Sequence, residues 1–318
     1  MIYRFIDRHR STFGGQKMCQ VLQVSRSGYY AWRTRPESAR ARETRQILHA
    51  IQGIYHETRG VYGSPRITHV LHDQGYRVSR PRVARLMHQQ GLRAKTQRAF
   101  RRTTIRDATL PVAPNRLQQQ CTVAAPHRVW VSDITYLKTQ AGWQYLTVIL
   151  DLWHRKVVGW VLSDTLETEH TTLSALQQAW QQERPGPHVV SHSDRGVQYA
   201  AEVFRTQLTT YQMVQSMSGT GNCYDNAVAE SFFKTLKTEL VYHERYPTGA
   251  QARQSLFDYI EIFYNRARKH STLNYRSPEH APQPGGLTTS GVRFFVATPG
   301  IVKTTTRRNV TKEQRRCW

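Results

Sequence analysis

The hydrophobic pattern changes its period near residue 129, and this change constrains the fold more than any other feature. Three β-rich runs follow one another from there: WVSDITYL, WQYLTVILD and KVVGWVLSD. They are separated by the short turns Gln140-Ala141-Gly142 and Trp153-His154-Arg155. Runs of this length joined by turns this short predict three antiparallel strands.

Helices and strands alternate after the third run. The sequence predicts a helix over 169–182, a fourth strand in HVVSHSD, a helix over 201–211, a fifth strand in MVQSMS and a long helix over 226–240. This order predicts an α/β fold in which a mixed five-stranded sheet is flanked by helices.

The first hundred residues have a helical period instead. The segment SPRITHVLHDQGYRVSRPRVARLMHQQGL predicts two short helices, with Ser64 and Ser79 as their N-caps and Gly75 and Gly91 at their C-terminal ends. Two helices joined by a tight glycine turn are typical of the DNA-binding helix-turn-helix, and an ordinary helical hairpin is the alternative.

The net charge is +23, and 36 of the 45 basic residues are Arg, whose planar fork suits phosphate. Residues 1–120 carry +17, residues 121–240 carry −2 and residues 241–318 carry +8. A solvated basic surface does not explain the acidic middle, so we expect nucleic-acid-binding flanks around a centre with another task. The candidate DNA contacts near the start of the second predicted helix are Arg80, Arg82 and Arg85.

Several classes of protein are excluded by composition. The four cysteines lie singly, without a CxxC pair, which argues against a disulfide framework and a zinc knuckle. The N-terminus is interrupted by charges and does not resemble a secretory signal. The most apolar run, 145–150, is far shorter than the ~20 residues that span a bilayer. A cytoplasmic protein without a membrane segment is expected.

Three acids stand at distinctive places in the predicted sheet. Asp133 lies inside the first strand, Asp194 ends the fourth, and Glu230 lies on the long helix with 35 residues between it and Asp194. An acid within a strand is costly unless something recruits it. Asp151 and Asp164 are rival acids by the same reasoning. A third rival, Asp225, is interpreted as the N-cap of the long helix.

Carboxylates that converge on one point repel one another and titrate upward unless cations neutralise them. Magnesium prefers such oxygen ligands, and two ions stabilise the attacking and leaving oxygens of an in-line phosphoryl displacement. Lys237 follows Glu230 by seven residues and therefore projects from nearly the same helix face, beside the predicted metals.

The segments WVSDITY, HSDRGVQY and SMSGTGNCYDNAVAESFFKTLKTEL resemble the catalytic region of bacterial insertion-sequence transposases of family three. The resemblance is to the downstream-frame product, OrfB, which is related to retroviral integrases. It extends from about Met18 to Pro278, through SRSGYYAW, RGVYGSPRI and YNRARKHSTLNYRSPE.

The resemblance implies an RNase H-like fold with a DDE triad of metal ligands, Asp133, Asp194 and Glu230, and it decides against Asp151. It also implies cleavage of a donor strand followed by attack of the 3′-OH on target DNA, with Mg²⁺ as cofactor and Mn²⁺ as a substitute. Lys237 and the loop residues Asn222 and Asn226 are then candidate DNA contacts. Expected partners are the upstream-frame product, OrfA, and further copies of this chain in the active complex.

The domain organisation that follows has five parts. We expect a helical N-terminal region (1–45), a helix-turn-helix-like domain (46–105), a linker (106–126), an integrase catalytic domain (127–284) and a basic tail (285–318) that matches nothing in the family. Two other functions stay open from the residues: a remnant that only binds DNA, and an RNase H-like nuclease without strand transfer.

Overall fold

The computed structural model describes residues 2–95, 112–118, 123–219 and 226–281. The chain divides into two compact units, residues 1–94 and 95–318. The expected tail, 285–318, lies outside the described residues.

The first unit is helical, as its sequence period predicts. Its helices are α1 (Ile2–His9), α2 (Gly15–Val21), α3 (Arg26–Thr34), α4 (Ala39–Glu57), α5 (Ser64–Asp73) and α6 (Arg80–Gln89). The first three pack together around Ile6 and Tyr29, whereas α4, α5 and α6 pack against one another. Ile51, Leu71 and Leu86 are buried, one from each of these last three helices.

Helices α5 and α6 form the predicted pair. Gly75 has φ +85° and Gly91 has φ +68°, left-handed conformations in which a side chain would be strained. Ser79 occupies the N-cap of α6, although its hydroxyl makes no capping bond. The two-helix prediction is therefore confirmed with its glycine ends.

The expected N-cap of α5 is wrong by one residue. Gly63 is the N-cap, and Ser64 is the first helical residue. The extended backbone of Gly63 lets its carbonyl accept the amide of Ile67, 3.1 Å away. Pro65 then lies within the first turn, where a missing amide hydrogen costs nothing.

The second unit contains the predicted sheet. Its strands are β1 (Val129–Thr139), β2 (Gly142–Asp151), β3 (Val157–Ser163), β4 (Val190–Ser193) and β5 (Val214–Met217). Their spatial order is β3-β2-β1-β4-β5. The β1–β2 and β2–β3 pairs are antiparallel, and the β1–β4 and β4–β5 pairs are parallel. The expected mixed five-stranded sheet is confirmed.

Helices cover both faces of the sheet. They are α7 (Ser174–Glu183), α8 (Val197–Ala200), α9 (Glu202–Thr210), α10 (Ala227–Glu239) and α11 (Gly249–Phe257), with π-helical segments over Glu169–Leu173 and Asp258–Ala267 and 3-10 turns over Val241–His243 and Ser271–Leu273. The predicted N-cap of α10 is wrong, because Asn226 occupies that position, and Asp225 itself lies outside the described residues.

Alternate residues of β1 and β2 enter two different cores. One core includes Val131 and Val148 and is closed by α10, α11 and the following π-helix. The other includes Trp130 and Ile149 and is closed by α7 and α9. A Cβ at Gly159 would lie 2.6 Å from the carbonyl oxygen of Ala175, so β3 needs glycine where α7 crosses it.

Two polar contacts fix the C-terminal part of this unit to the sheet. Asn265 binds both the amide and the carbonyl of Val157 at 3.0 Å, so its side chain replaces a neighbouring strand at the edge of β3. Arg268 donates two hydrogen bonds, of 2.8 and 2.7 Å, to the buried carboxylate of Glu239 at the end of α10. Losing one partner of such a buried pair typically costs about 3–5 kcal/mol.

Residues 112–118, within the expected linker, lie against the sheet. The amide of Arg116 donates to the hydroxyl of Ser216 on β5 at 2.9 Å, and Leu117 is buried in the core beneath α10. Within the described ranges, no helix combines the length and the apolar character that crossing a bilayer requires.

Candidate active site

The three predicted acids lie on three elements that meet at one end of the sheet. The parallel pairing of Val131 with His192 sets Asp133 beside Asp194, which follows β4 directly. Glu230 lies in the first turn of α10, the helix that packs on β1. Asp133 and Asp194 are partly buried, whereas Glu230 is exposed.

The electrostatic environment of Asp133 shows that these acids affect one another. Its pKa is raised well above the ordinary value, first by burial and then by the charge of Asp194, with a smaller contribution from Glu230. The amide of Ile134, which donates to Oδ1 at 2.9 Å, and the cation of Lys237 oppose that rise. The site therefore carries excess negative charge in the absence of a cation.

Lys237 lies close enough to this site to affect its charge. Burial lowers the pKa of its ammonium group, and the neighbouring Asp133 partly restores it. Lys237 therefore places a positive charge near Asp133, on the helix that also carries Glu230.

Asp194 is held by the turn that it begins. Its Oδ1 accepts the amide of Gly196 at 2.9 Å, and its carbonyl accepts the hydroxyl of Ser193 at 2.9 Å. Upstream, the buried ring of His192 bonds Ser216 at 2.9 Å and Ser218 at 3.2 Å. These contacts fix the end of β4 against β5, so the direction of Asp194 is set by the sheet.

A buried hydrogen-bonded group lies directly behind the acids. The hydroxyl of Tyr199 on α8 is 2.8 Å from the hydroxyl of Ser132, and the amide of Asn226 donates to the carbonyl of Ser132 at 3.2 Å. Sequence reasoning missed Ser132 and Tyr199. The available signal was a polar residue next to an acid within an apolar strand.

The rival Asp151 has a different environment. Its carboxylate is fully buried and accepts the amides of His127 at 2.6 Å and Trp153 at 2.8 Å. Although burial raises its pKa, the neighbouring His154 and these two amides lower it by more. Asp151 pairs with Trp130, three residues before Asp133 and thus ~10 Å along the strand. It anchors the turn between β2 and β3.

The other rival acid and the predicted DNA-contact residues lie in different environments. Asp164 is exposed after β3, and Asn222 lies outside the described residues. Asn226 is buried, with its amide engaged as above. On α6, Arg80 and Arg85 are exposed, whereas Arg82 donates two 3.2 Å hydrogen bonds to Glu43. The DNA-contact assignments of Arg80, Arg85 and Asn222 stay predictions, whereas the hydrogen bonds of Arg82 and Asn226 favour roles within the protein.

The donor chemistry of the site fits a hard divalent cation. Three carboxylates supply the oxygen ligands that Mg²⁺ prefers, and the raised pKa of Asp133 reports a charge that a cation would relieve. In the part of the chain that the structure describes, no three His, Cys, Asp or Glu side chains form a ready-made ion site. Binding would therefore require the side chains to converge further.

The environment of Asp133 predicts a pH-dependent stability. Its folded pKa lies above the ordinary value of 3.8, so ionisation costs stability above the folded pKa, and this cost disappears as the pH falls toward 3.8. In EDTA at pH 8, Asp133→Asn should melt above the wild type, by roughly 2–4 °C for each kcal/mol relieved. Scanning calorimetry from pH 8 to pH 4 should show that the difference in melting temperature between Asp133→Asn and the wild type decreases.

The exposed Asp164 provides the control for this measurement. Asp164→Asn should leave the melting temperature unchanged throughout that pH range, because a solvated carboxylate has little to gain from neutralisation. If Asp133→Asn raised the melting temperature by the same amount at every pH, or did not raise it, Asp133 would carry no uncompensated charge.

Known protein families match both units of the chain. Three family models match the chain: an HTH-like domain over residues 42–100 and two integrase core domains over 123–223 and 211–278. Among solved structures, the simian T-cell lymphotropic virus intasome, in complex with PP2A regulatory subunit B56 gamma, is similar at a TM-score of 0.42. It is 16% identical and covers 76% of this chain and 80% of its own.

Curated relatives are much more similar in sequence. Transposase InsF for insertion sequence IS3A of Escherichia coli K12 is 41% identical over 283 residues, covering 88% of this chain and 97% of its own. A 31 kDa protein of insertion element IS600 from Shigella sonnei is 42% identical over 261 residues, covering 82% of this chain and 96% of its own. The integrase core matches confirm the expected RNase H-like fold. The chain belongs to the IS3-type insertion-sequence transposases, enzymes with a DDE integrase catalytic core.

Proposed function

We propose that this chain cuts and joins DNA at the ends of an insertion sequence, with Asp133, Asp194 and Glu230 as ligands of two Mg²⁺ ions. The observation that carries the assignment is the placement of the acids: the β1–β4 pairing sets Asp133 beside Asp194, and α10, which packs on β1, carries Glu230 in its first turn. The charges of Asp194 and Glu230 also raise the pKa of Asp133. Three carboxylates from β1, the end of β4 and α10 thus share one electrostatic environment.

The reaction class is in-line displacement at phosphorus, in two steps. In the first, a water oxygen attacks the phosphorus at the element end, the P–O3′ bond breaks, and the oxygen leaves with a proton as the 3′-OH. In the second, this 3′ oxygen loses its proton and attacks a target phosphorus, whose own P–O3′ bond breaks. Two bound Mg²⁺ ions would stabilise the attacking and leaving oxygens.

The residues of the chain would position the reactants. The β1–β4 pairing and the turn at Gly196 fix Asp133 and Asp194, while α10 supplies Glu230. Lys237, beside Asp133, would hold a phosphate oxygen of the DNA backbone through its ammonium group. Manganese has the same preference for oxygen ligands and would substitute for magnesium.

The partners follow from the same proposal. Helices α5 and α6 would bind DNA, with the exposed Arg80 and Arg85 against phosphates. Reaction at two element ends calls for more than one copy of the chain. The family resemblance implies OrfA, the upstream-frame product, as a further partner. Action on chromosomal DNA would place the complex at the bacterial nucleoid.

Catalysis is tested with labelled element ends and a supercoiled target plasmid in Mg²⁺, with and without OrfA. The wild type should give nicked ends and joined products. Asp194→Asn should reduce both to background while DNA binding persists, because it removes a ligand but leaves α5 and α6 intact. The matched variant Asp164→Asn, which changes an exposed acid outside the site, should retain both products.

The same assay separates the alternatives. Nicked ends without joined products would indicate a nuclease, and binding without either would indicate a remnant. Full activity of Asp194→Asn would show that the metal site is elsewhere.

The role of α6 is tested by the salt dependence of DNA binding. Each phosphate contact contributes about 0.9 to the slope of log K against log salt concentration. If both arginines contact phosphates, the double variant Arg80→Ala/Arg85→Ala should reduce the magnitude of that slope by about 1.8. Fluorescence anisotropy at several salt concentrations measures it.

Arg82 provides the matched comparison on the same helix. Its guanidinium is bound by Glu43 and by the hydroxyl of Thr44 at 3.1 Å, so Arg82→Ala should leave the slope nearly unchanged. An unchanged slope in the double variant would mean that this face of α6 does not touch the DNA backbone.

A further inference from the structure

Ser132 connects the three segments that carry the acids. It precedes Asp133 in β1, and its side chain is 3% exposed. Its hydroxyl bonds Tyr199, five residues after Asp194, and its carbonyl accepts the amide of Asn226, four residues before Glu230. Each acid-bearing segment is therefore within one hydrogen bond of the same residue.

The backbone explains why Asn226 is bound at this point. The parallel β1–β4 ladder ends at the Val131–His192 pair, and the next carbonyl of β1 is that of Ser132. The Asn226 amide donates to this carbonyl from the N-cap position of α10. The start of the helix that bears Glu230 is thereby fixed to the strand that bears Asp133.

The Tyr199 contact links the third segment in the same way. Burial, followed by the charges of Asp133 and Asp194, raises the pKa of the Tyr199 phenol well above its ordinary value. The hydroxyl is therefore directed toward the strand that carries Asp133, where it meets Ser132 at 2.8 Å. A phenylalanine would fill the same apolar space. Packing alone therefore does not explain why residue 199 carries a hydroxyl group.

We propose that Ser132, Tyr199 and Asn226 are positioning residues that set the spacing of the three carboxylates before a cation binds. This inference rests on the assignment of Asp133, Asp194 and Glu230 as metal ligands. Each acts through its hydrogen bond on a segment that carries an acid and supplies no ligand itself. The proposal gives Asn226 a role behind the acids, in place of the DNA contact expected from sequence.

Calorimetric titration of the full chain with Mn²⁺ alone, without DNA, tests this role directly. Tyr199→Phe and Ser132→Ala each remove one oxygen of the same hydrogen bond. Each should weaken Mn²⁺ binding by about 10- to 100-fold, the usual effect of losing a partner that orients metal ligands. The double variant should be no weaker than the single ones, because both changes break one contact.

Tyr29→Phe is the matched control. Tyr29 is equally buried and donates to Asp7 at 3.2 Å, in the other unit of the chain. It should lose a comparable hydrogen bond and keep wild-type Mn²⁺ affinity. In the cleavage assay, Tyr199→Phe should raise the Mn²⁺ concentration for half-maximal rate, with near-wild-type cleavage at saturating metal.

The outcomes separate this inference from the proposed function. If Asp194→Asn abolishes Mn²⁺ binding while a folded Tyr199→Phe keeps wild-type affinity, the positioning role is overturned and the metal site stands. If Asp194→Asn also keeps wild-type affinity, both are overturned. Should Tyr199→Phe melt too low to titrate, Ser132→Ala, which breaks the same bond, decides the question by the same criterion.

Discussion

The pairing of β1 with β2 on one side and with β4 on the other is the constraint on which the rest of the catalytic unit depends. It places an acid, Asp133, in the middle of a strand whose neighbouring apolar side chains enter the cores on the two faces of the sheet. Because β4 is parallel to β1 and ends at Ser193, level with the middle of β1, Asp194 arrives beside Asp133. Helix α10 packs on β1 and brings Glu230 to the same end.

The stability of this unit comes from other residues than those of the site. Apolar side chains on both faces of β1 and β2 form two cores, and the buried Glu239–Arg268 pair fixes the far end of α10. The ionised carboxylate of Asp133 reduces stability through burial and through repulsion from Asp194 and Glu230. A rigid sheet is therefore needed to hold a group of charges that would otherwise separate.

Much of the fold could be predicted because its signals are local. Strand length, turn residues and the change of period determined the five strands and their flanking helices. Gly75 and Gly91 predicted the C-terminal ends of α5 and α6, and the structure has a positive φ at both. Cap positions were less predictable, since Gly63 and Asn226, instead of Ser64 and Asp225, begin α5 and α10. A cap depends on the direction of the incoming chain, which neighbouring residues do not encode.

The candidate site was predictable in part. Strand position alone left Asp151 equal to Asp133, and the family resemblance was needed to choose between them. The structure shows the physical difference, since backbone amides stabilise the Asp151 carboxylate, whereas Asp133 faces other acids. The contacts of Ser132 with Tyr199 and Asn226, and of Arg82 with Glu43, join distant residues. No local pattern encodes them.

Anomalous diffraction from crystals of the full chain soaked in Mn²⁺ would locate the metal ions relative to the three acids. If the three acids hold the metal, Mn²⁺ peaks should lie within coordination distance of the Asp133 and Asp194 carboxylates, with Glu230 completing the site, and crystals of Asp194→Asn should show no peak. Peaks at Asp151 or another cluster, with none at Asp133, would contradict this assignment.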